Sequence, residues 1–235
     1  MAHQHCDHDH DCDHDHEIEI TGSLELYIAD KSLSSWGMRA WLVAIASGIP
    51  FKEKEIKLYR KDTREKILKH SPSGRLPALK HGDLIIWDSL AIAEYLNELS
   101  PYAGLWPKDM GMRAMARSYV SEMHSGFTSL RQELPMDLNV KTVKTILTPG
   151  VISDIERILT LWKEALKLSK GPYLFGEFGI VDAFFAPVVF RFLSYGVEIK
   201  NKAILQYMDN IQNHAGVEFW LEEVKKEKIK LTTFK

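Results

Sequence analysis

The sequence predicts two folded parts, a small α/β domain at 23–100 and an all-helical domain at 110–235. Three observations carry this. Strand-like alternation and helix-like periodicity take turns through the first part, and helical periodicity alone runs through the second. A stretch rich in Pro and Gly, 101–109, lies between them and reads as a linker. Residues 1–22 have a different texture, crowded with His, Asp and Cys, and belong to neither part.

The elements follow in order. Leu24-Glu-Leu-Tyr-Ile28 alternates between Gly22 and Asp30 and reads as a strand. Ser34-Ser35 stands before the apolar stretch Met38 to Ala46, which stops at Gly48 and Pro50: a helix with a cap and a terminator. Phe51 to Leu58 alternates again, and Thr63 to His70 is a short helical piece. Pro77 to Lys80 and Leu84 to Trp87 flank His81-Gly82-Asp83, a hairpin signal. Ser89 to Leu99 has helical spacing of Leu90, Ile92, Ala93, Tyr95 and Leu96. The order is βαβ, then αββα. Beyond the linker the pattern predicts helices at about 111–133, 152–169, 180–195, 202–213 and 217–227. Pro187 should kink its helix or mark its N-terminal third.

Composition narrows the function. The 235 residues are 45% apolar and 26% charged, ordinary for a globular chain. The longest apolar run, Ala40 to Ile49, is about half of a bilayer span, and the acidic N-terminus is unlike a secretory signal. A cytoplasmic protein without membrane contact is expected. The net charge of −2 is uneven: seven acids lie in residues 1–19, which hold no Lys or Arg, so the remainder carries +5. That charge is weak and scattered, and no nucleic-acid partner is expected. Both cysteines, Cys6 and Cys12, precede the folded body, which therefore has no disulfide and no thiol chemistry of its own. In the leader, His3, His5, His8, His10, His14 and His16 join the two thiols and five Asp carboxylates, donors suited to Zn, Ni or Cu. Their spacing is not that of a zinc finger, and no apolar residue there can build a fold. The leader reads as a disordered tail that binds metal incidentally, with metal storage or delivery as the alternative; no metal is expected in the body.

Three features carry chemistry. Ser34-Ser-Trp-Gly-Met-Arg39 places hydroxyls at a helix N-terminus, where unpaired N–H groups and the helix dipole favour an anion. Ser71-Pro-Ser-Gly-Arg-Leu-Pro77 sets a proline at the opening of a strand, an edge device or a cis-proline. Trp87-Asp88-Ser89 lies at a strand-to-helix junction, where a hydroxyl and N–H groups suit a carboxylate and the Asp88 carboxylate suits an ammonium. Each alone reads as well or better as a cap or an ordinary loop.

Their order is more specific: a hydroxyl-bearing turn, basic-X-Pro, acidic-Ser-X-Ala-Ile, then helices. It resembles the glutathione transferase superfamily from Leu24 to about Val224. The turn is similar to the Ser-Pro-Phe-Gly-Met-Arg stretch of tau-class enzymes and the Ser-Ser-Cys-Ser-Trp-Arg stretch of zeta-class enzymes. Glu122-Met-His-Ser-Gly-Phe127 and Leu130-Arg-Gln-Glu-Leu-Pro-Met136 resemble a bacterial branch of the superfamily. The resemblance implies a thioredoxin-like N-terminal domain, an all-α C-terminal domain and a homodimer. Glutathione would be the co-substrate and a small electrophile the second substrate. Ser34 matches the serine that stabilises the thiolate, with Ser35 its neighbour and rival. Arg75 matches a basic residue near the glycine carboxylate, Leu76 the position whose backbone pairs with the cysteinyl unit, and Pro77 the cis-proline. Asp88 and Ser89 match the pair that holds the γ-glutamyl group. Asp182 matches the Asp of a helix-capping box, with Gly179 where Ser or Thr is usual.

The implied reaction is thiolate attack on an electrophilic carbon or a peroxide oxygen. A glutathione-dependent isomerase similar to maleylacetoacetate isomerase, and a non-catalytic binding module, are the alternatives. Without a cysteine at position 34, disulfide exchange through an enzyme thiol is not expected. Trp36, Tyr119 and His124 are assigned to the second-substrate pocket, with Phe127 and Trp220 nearby, although aromatics at helical spacing are as readily core. Glu122 and His124, two apart on a helix, do not share a face. His70, His81 and His214 are expected at the surface.

Overall fold

The computed structural model describes residues 22–227. The six leader histidines and both cysteines lie outside the described residues. The first part comprises β1 (Leu24–Ile28), α1 (Ser35–Ser47), β2 (Phe51–Glu55), α2 (Thr63–Leu68), β3 (Ala78–His81), β4 (Leu84–Trp87) and α3 (Ser89–Leu99). The sheet order is β2-β1-β3-β4. β1 and β2 run parallel, with Leu24 opposite Phe51, and the two other pairings are antiparallel. This is the thioredoxin-like arrangement.

Strand alternation decides which face goes where. Leu24, Leu26 and Ile28 of β1 face a core shared with Met38 and Leu42 of α1 and Ile92 and Leu96 of α3. Tyr27, one residue out of phase, packs on the opposite face with Ile56 and Ile67, beneath α2. β2 is one of the two edge strands, and its Lys52-Glu-Lys-Glu55 run is exposed. Alternating charges there discourage pairing with another chain. β2 ends three residues earlier than the alternation suggests. The chain turns away after Ile56, and the Leu58 N–H instead donates to Asp30 Oδ2 at 2.6 Å.

The second part is helical: α4 (Met110–Ser125), α5 (Thr128–Glu133), α6 (Pro149–Leu168), α7 (Ile180–Tyr195), α8 (Lys202–Gln212) and α9 (Ala215–Lys226). Every residue from Ile180 to Phe192 is buried, which makes α7 the axis of this part. Pro187 sits at its middle, not its N-terminal third, and the helix runs through it. No helix of the described residues is long and apolar enough to cross a membrane.

The single helix expected over 111–133 is two. The Gly126 N–H closes α4 on Glu122 O, and Phe127 takes a left-handed φ of 58° before α5 begins. Apolar periodicity survives the break because both helices face one core: Val120, Met123, Phe127 and Leu130 are all buried. α6 starts three residues early because Thr148 caps the Val151 N–H and Pro149 fits the first helical turn, where its missing N–H is no loss.

The α7 cap has half of its box. Asp182 Oδ2 accepts the Gly179 N–H at 3.0 Å, and its Oδ1 accepts the Leu174 N–H at 3.1 Å. Burial pushes the Asp182 carboxyl up to about 7, against the pull of those two N–H groups. Gly179 has no side chain to reciprocate, and the structure shows why glycine stands there. A Cβ at Gly179 would lie 2.7 Å from the Leu105 carbonyl oxygen, where the chain entering the helical part crosses α7. Restoring the serine of a full capping box should therefore destabilise the protein. Gly179→Ser is expected to lower stability by about 1–3 kcal/mol in urea unfolding, the usual cost of overpacking. An unchanged or raised midpoint would show that the backbone yields to the cap.

Candidate active site

α1 begins where β1 leaves the sheet, and the intervening loop is held from the helical part. The Glu227 carboxylate, just past α9, accepts the Lys31 and Ser32 N–H groups at 2.5 and 3.0 Å. The Trp220 indole N–H donates to Lys31 O, and the Leu138 N–H to Ser32 O. Two residues later Ser34 caps α1, its Oγ accepting the Gly37 N–H at 3.0 Å. A hydroxyl carries one donor and two acceptor sites, so this bond leaves the Ser34 hydrogen available. Gly37 is required here, since a Cβ would meet Ser34 Oγ at 2.7 Å. The Ser35 hydroxyl turns inward and accepts from Arg191 Nη2 at 3.3 Å.

Beside this turn lies a cleft of about 630 Å³, lined by Trp36, Ser73, Arg75, Leu76, Pro77, Trp87, Asp88 and Ser89. The Leu76–Pro77 peptide bond is cis. Arg75 is exposed at the rim. Ser89 opens α3 with its Oγ buried and without a partner among the described residues. Asp88 caps the same helix, its Oδ1 accepting the Leu90 N–H at 2.8 Å. It does so from φ 78° and ψ 133°, a region that L side chains rarely adopt.

The other carboxylate oxygen of Asp88 reaches the helical part. His124 Nε2 of α4 lies 3.1 Å from Asp88 Oδ2. Partial burial would raise the Asp88 carboxyl, but the hydrogen bonds from His124 and from the Leu90 and Ala91 N–H groups outweigh it and hold it below the ordinary carboxylate range. The His124 ring also packs edge-on to Trp36, with centroids 5.1 Å apart. Glu122, two residues earlier, pairs with Arg157 instead.

The structure thus brings Arg75, Leu76, Pro77, Asp88, Ser89 and Trp36 to one cleft, with Ser34 at the turn beside it and His124 behind Asp88. It does not bring Tyr119 there. Tyr119 is buried between Phe175 and Glu164, and burial raises its hydroxyl pKa. Phe127 is part of the core, and Trp220 holds the Lys31 loop rather than lining the cleft. Sequence reasoning missed Ser73 and Trp87. Trp87 carried a signal, a large aromatic at the last position of a strand, and it is 46% exposed. It also missed three arginines, Arg39 of α1, Arg131 of α5 and Arg191 of α7. Arg39 and Arg191 sit inside otherwise apolar runs, which was the signal.

Residues 33–99, from the turn before α1 to the end of α3, match the family model for the glutathione S-transferase N-terminal domain. The chain is 28% identical to glutathione S-transferase 1 of Dianthus caryophyllus, over 81% of this chain and 87% of that protein. It is 26% identical to a probable maleylacetoacetate isomerase of Caenorhabditis elegans, over 74% and 81% respectively. A solved glutathione transferase homolog from Burkholderia gl BGR1, with bound glutathione, shares the fold with a TM-score of 0.70. That match covers 88% of this chain and all of the other at 23% identity. Fold and cleft define a thioredoxin-like domain joined to a helical one. The chain thus carries, at 33–99, a domain matching the glutathione S-transferase N-terminal family, followed by a helical part.

The strain at Asp88 separates stability from binding. Glycine adopts its backbone angles freely and costs only a few tenths of a kcal/mol as a cap. Asp88→Gly is expected to leave the urea midpoint unchanged or raise it, by up to about 1 kcal/mol. The same variant should bind glutathione at least about tenfold more weakly. A large loss of stability would show that the His124 pair, not the strain, dominates at this position.

Proposed function

We propose that the chain is a glutathione transferase in which Ser34 holds the glutathione thiol as a thiolate. The observation that carries this reading is the convergence of Arg75, Leu76, Pro77, Asp88 and Ser89 on one cleft beside the N-terminus of α1. The γ-glutamyl ammonium goes to the Asp88 carboxylate. Its carboxylate goes to the Ser89 hydroxyl and the Ser89 backbone N–H at the start of α3. The Leu76 backbone pairs with the cysteinyl unit, and Arg75 takes the glycine carboxylate. This orientation directs the sulfur toward Ser34.

A free thiol titrates near 8.5 and is mostly protonated at neutral pH. One charge-assisted hydrogen bond of about 1.5–3 kcal/mol favours the thiolate by one to two pKa units. The Ser34 hydroxyl can donate that bond while still accepting from Gly37, and the α1 dipole adds to it. Binding then supplies proximity, with the electrophile held beside the sulfur by the helical part. The thiolate attacks an electrophilic carbon, or a peroxide oxygen. The likeness to a probable maleylacetoacetate isomerase favours one second reading, in which the same thiolate adds to a double bond and is then expelled. We place the protein in the cytoplasm as a homodimer.

The test is the ultraviolet spectrum of bound glutathione, titrated across pH. In the wild type a thiolate should appear near neutral pH, and in Ser34→Ala the transition should move up by about one to two units. Turnover of an aryl halide should fall about 10²-fold in that variant, as on loss of an oxyanion donor. An unmoved transition would reassign the role or refute the site. Asp88→Ala should mainly raise the glutathione KM, since it touches a remote part of the ligand. A pure kcat loss there would contradict the assignment.

A further inference from the structure

The three arginines Arg39, Arg131 and Arg191 form a cationic cluster with no salt bridge among the described residues, although the Asp154 carboxylate acts on Arg131 from beyond salt-bridge distance. Arg39 is 1% exposed, and its Nε and Nη1 have no hydrogen-bond partner among the described residues. Its guanidinium lies 4.5 Å from the Trp36 ring centroid and 5.1 Å from that of Phe184. Arg131 approaches the Trp36 ring to 5.0 Å. Its Nε and Nη2 donate to the carbonyls of Gly126 and Met123, which leaves the Nη1 donors over. Arg191 donates to Leu134 O at 2.6 Å and to the Ser35 hydroxyl. All of these acceptors are neutral. The nearest counter-charge that Arg39 feels is Asp88, which His124 already engages.

Burying cations without partners is expensive, and each orphaned donor adds to the cost. A purely structural role would be filled more cheaply by apolar side chains of similar volume. Burial, and the mutual repulsion of the three groups, pull the pKa of Arg39 far down, a pressure that an anion would relieve. Arg39 and Arg131 lie one side chain away from the cleft. Trp36 lines the cleft and covers the guanidinium groups of both Arg39 and Arg131.

We propose that Arg39, with Arg131 and Arg191, binds a carboxylate of the second substrate, admitted when the Trp36 indole swings aside. The substrate class is then an electrophile that carries an acidic group, such as an unsaturated keto acid. This rests on the transferase reading above. The addition balances simply. The sulfur bonds to the alkene carbon, the alkene electron pair moves onto the ketone oxygen, and a solvent proton ends on the neighbouring carbon.

The matched probes are 3-benzoylacrylate and its methyl ester, each rate being divided by its uncatalysed rate with glutathione. The wild type should favour the acid over the ester at least about tenfold, and Arg131→Gln and Arg39→Lys should bring that ratio towards one. If Arg39→Lys does not fold, the half-buried Arg131 carries the test. Equal use of both probes by the wild type, or an unchanged ratio in the variants, overturns the proposal while leaving the transferase reading intact. If neither probe is turned over, the transferase reading loses its support and calorimetry decides the anion site. 4-Phenylbutanoate should then bind at least about tenfold tighter than 4-phenylbutanamide, a difference that Arg131→Gln abolishes. Equal affinities overturn the proposal.

Discussion

The burial of α1 on all sides organises the rest of the molecule. From Ser35 to Ala44 only Trp36 is more than slightly exposed, because the sheet lies against one face of the helix and α7 against another. A helix so enclosed cannot shift without opening the core, which is packed to near-crystalline density. Its N-terminus, and hence Ser34, is therefore held relative to the sheet edge where Leu76 and Asp88 emerge. The bonds from Glu227, Trp220 and Leu138 to the Lys31–Ser32 loop complete this restraint from the far end of the chain. The chemistry at one turn thus depends on residues nearly two hundred positions away.

The site breaks several local rules. Asp88 caps a helix from strained backbone angles, Ser89 Oγ and two Arg39 nitrogens lack partners, and His124 reaches across from α4 to the α3 cap. Similar departures occur away from the cleft, at the positive φ of Tyr59 and Phe127 and at the unpartnered Trp162 Nε1 and His214 Nδ1. Gly179 is a different case. It departs from the usual capping box, yet the reason is packing against Leu105 and not chemistry.

Local signals carried much of the architecture. The bounds of α3 and α7 agree with those read from Ser89 to Leu99 and from Ile180 to Tyr195, because each has a cap and an unbroken apolar face. The break at Gly126–Phe127 was hidden, since apolar spacing reports which face is buried and not whether the hydrogen-bond ladder continues. At the site, the turn, the Pro77 loop and the Asp88–Ser89 junction were legible as three motifs, which the structure brings to or beside one cleft. Tyr119 was not separable from core, because an aromatic at helical spacing looks the same whether it points at a cleft or at Phe175.

The sequence by itself determined the order of elements, the helix caps and the three motifs that meet at the cleft, since these depend on neighbours within a few positions. Tertiary structure alone decided that His124 would hold Asp88. It also gathered Arg39, Arg131 and Arg191, from three separate helices, behind Trp36. Charges that lie 60 to 152 residues apart act on one another only once packing has removed the water between them, and no local pattern records that distance.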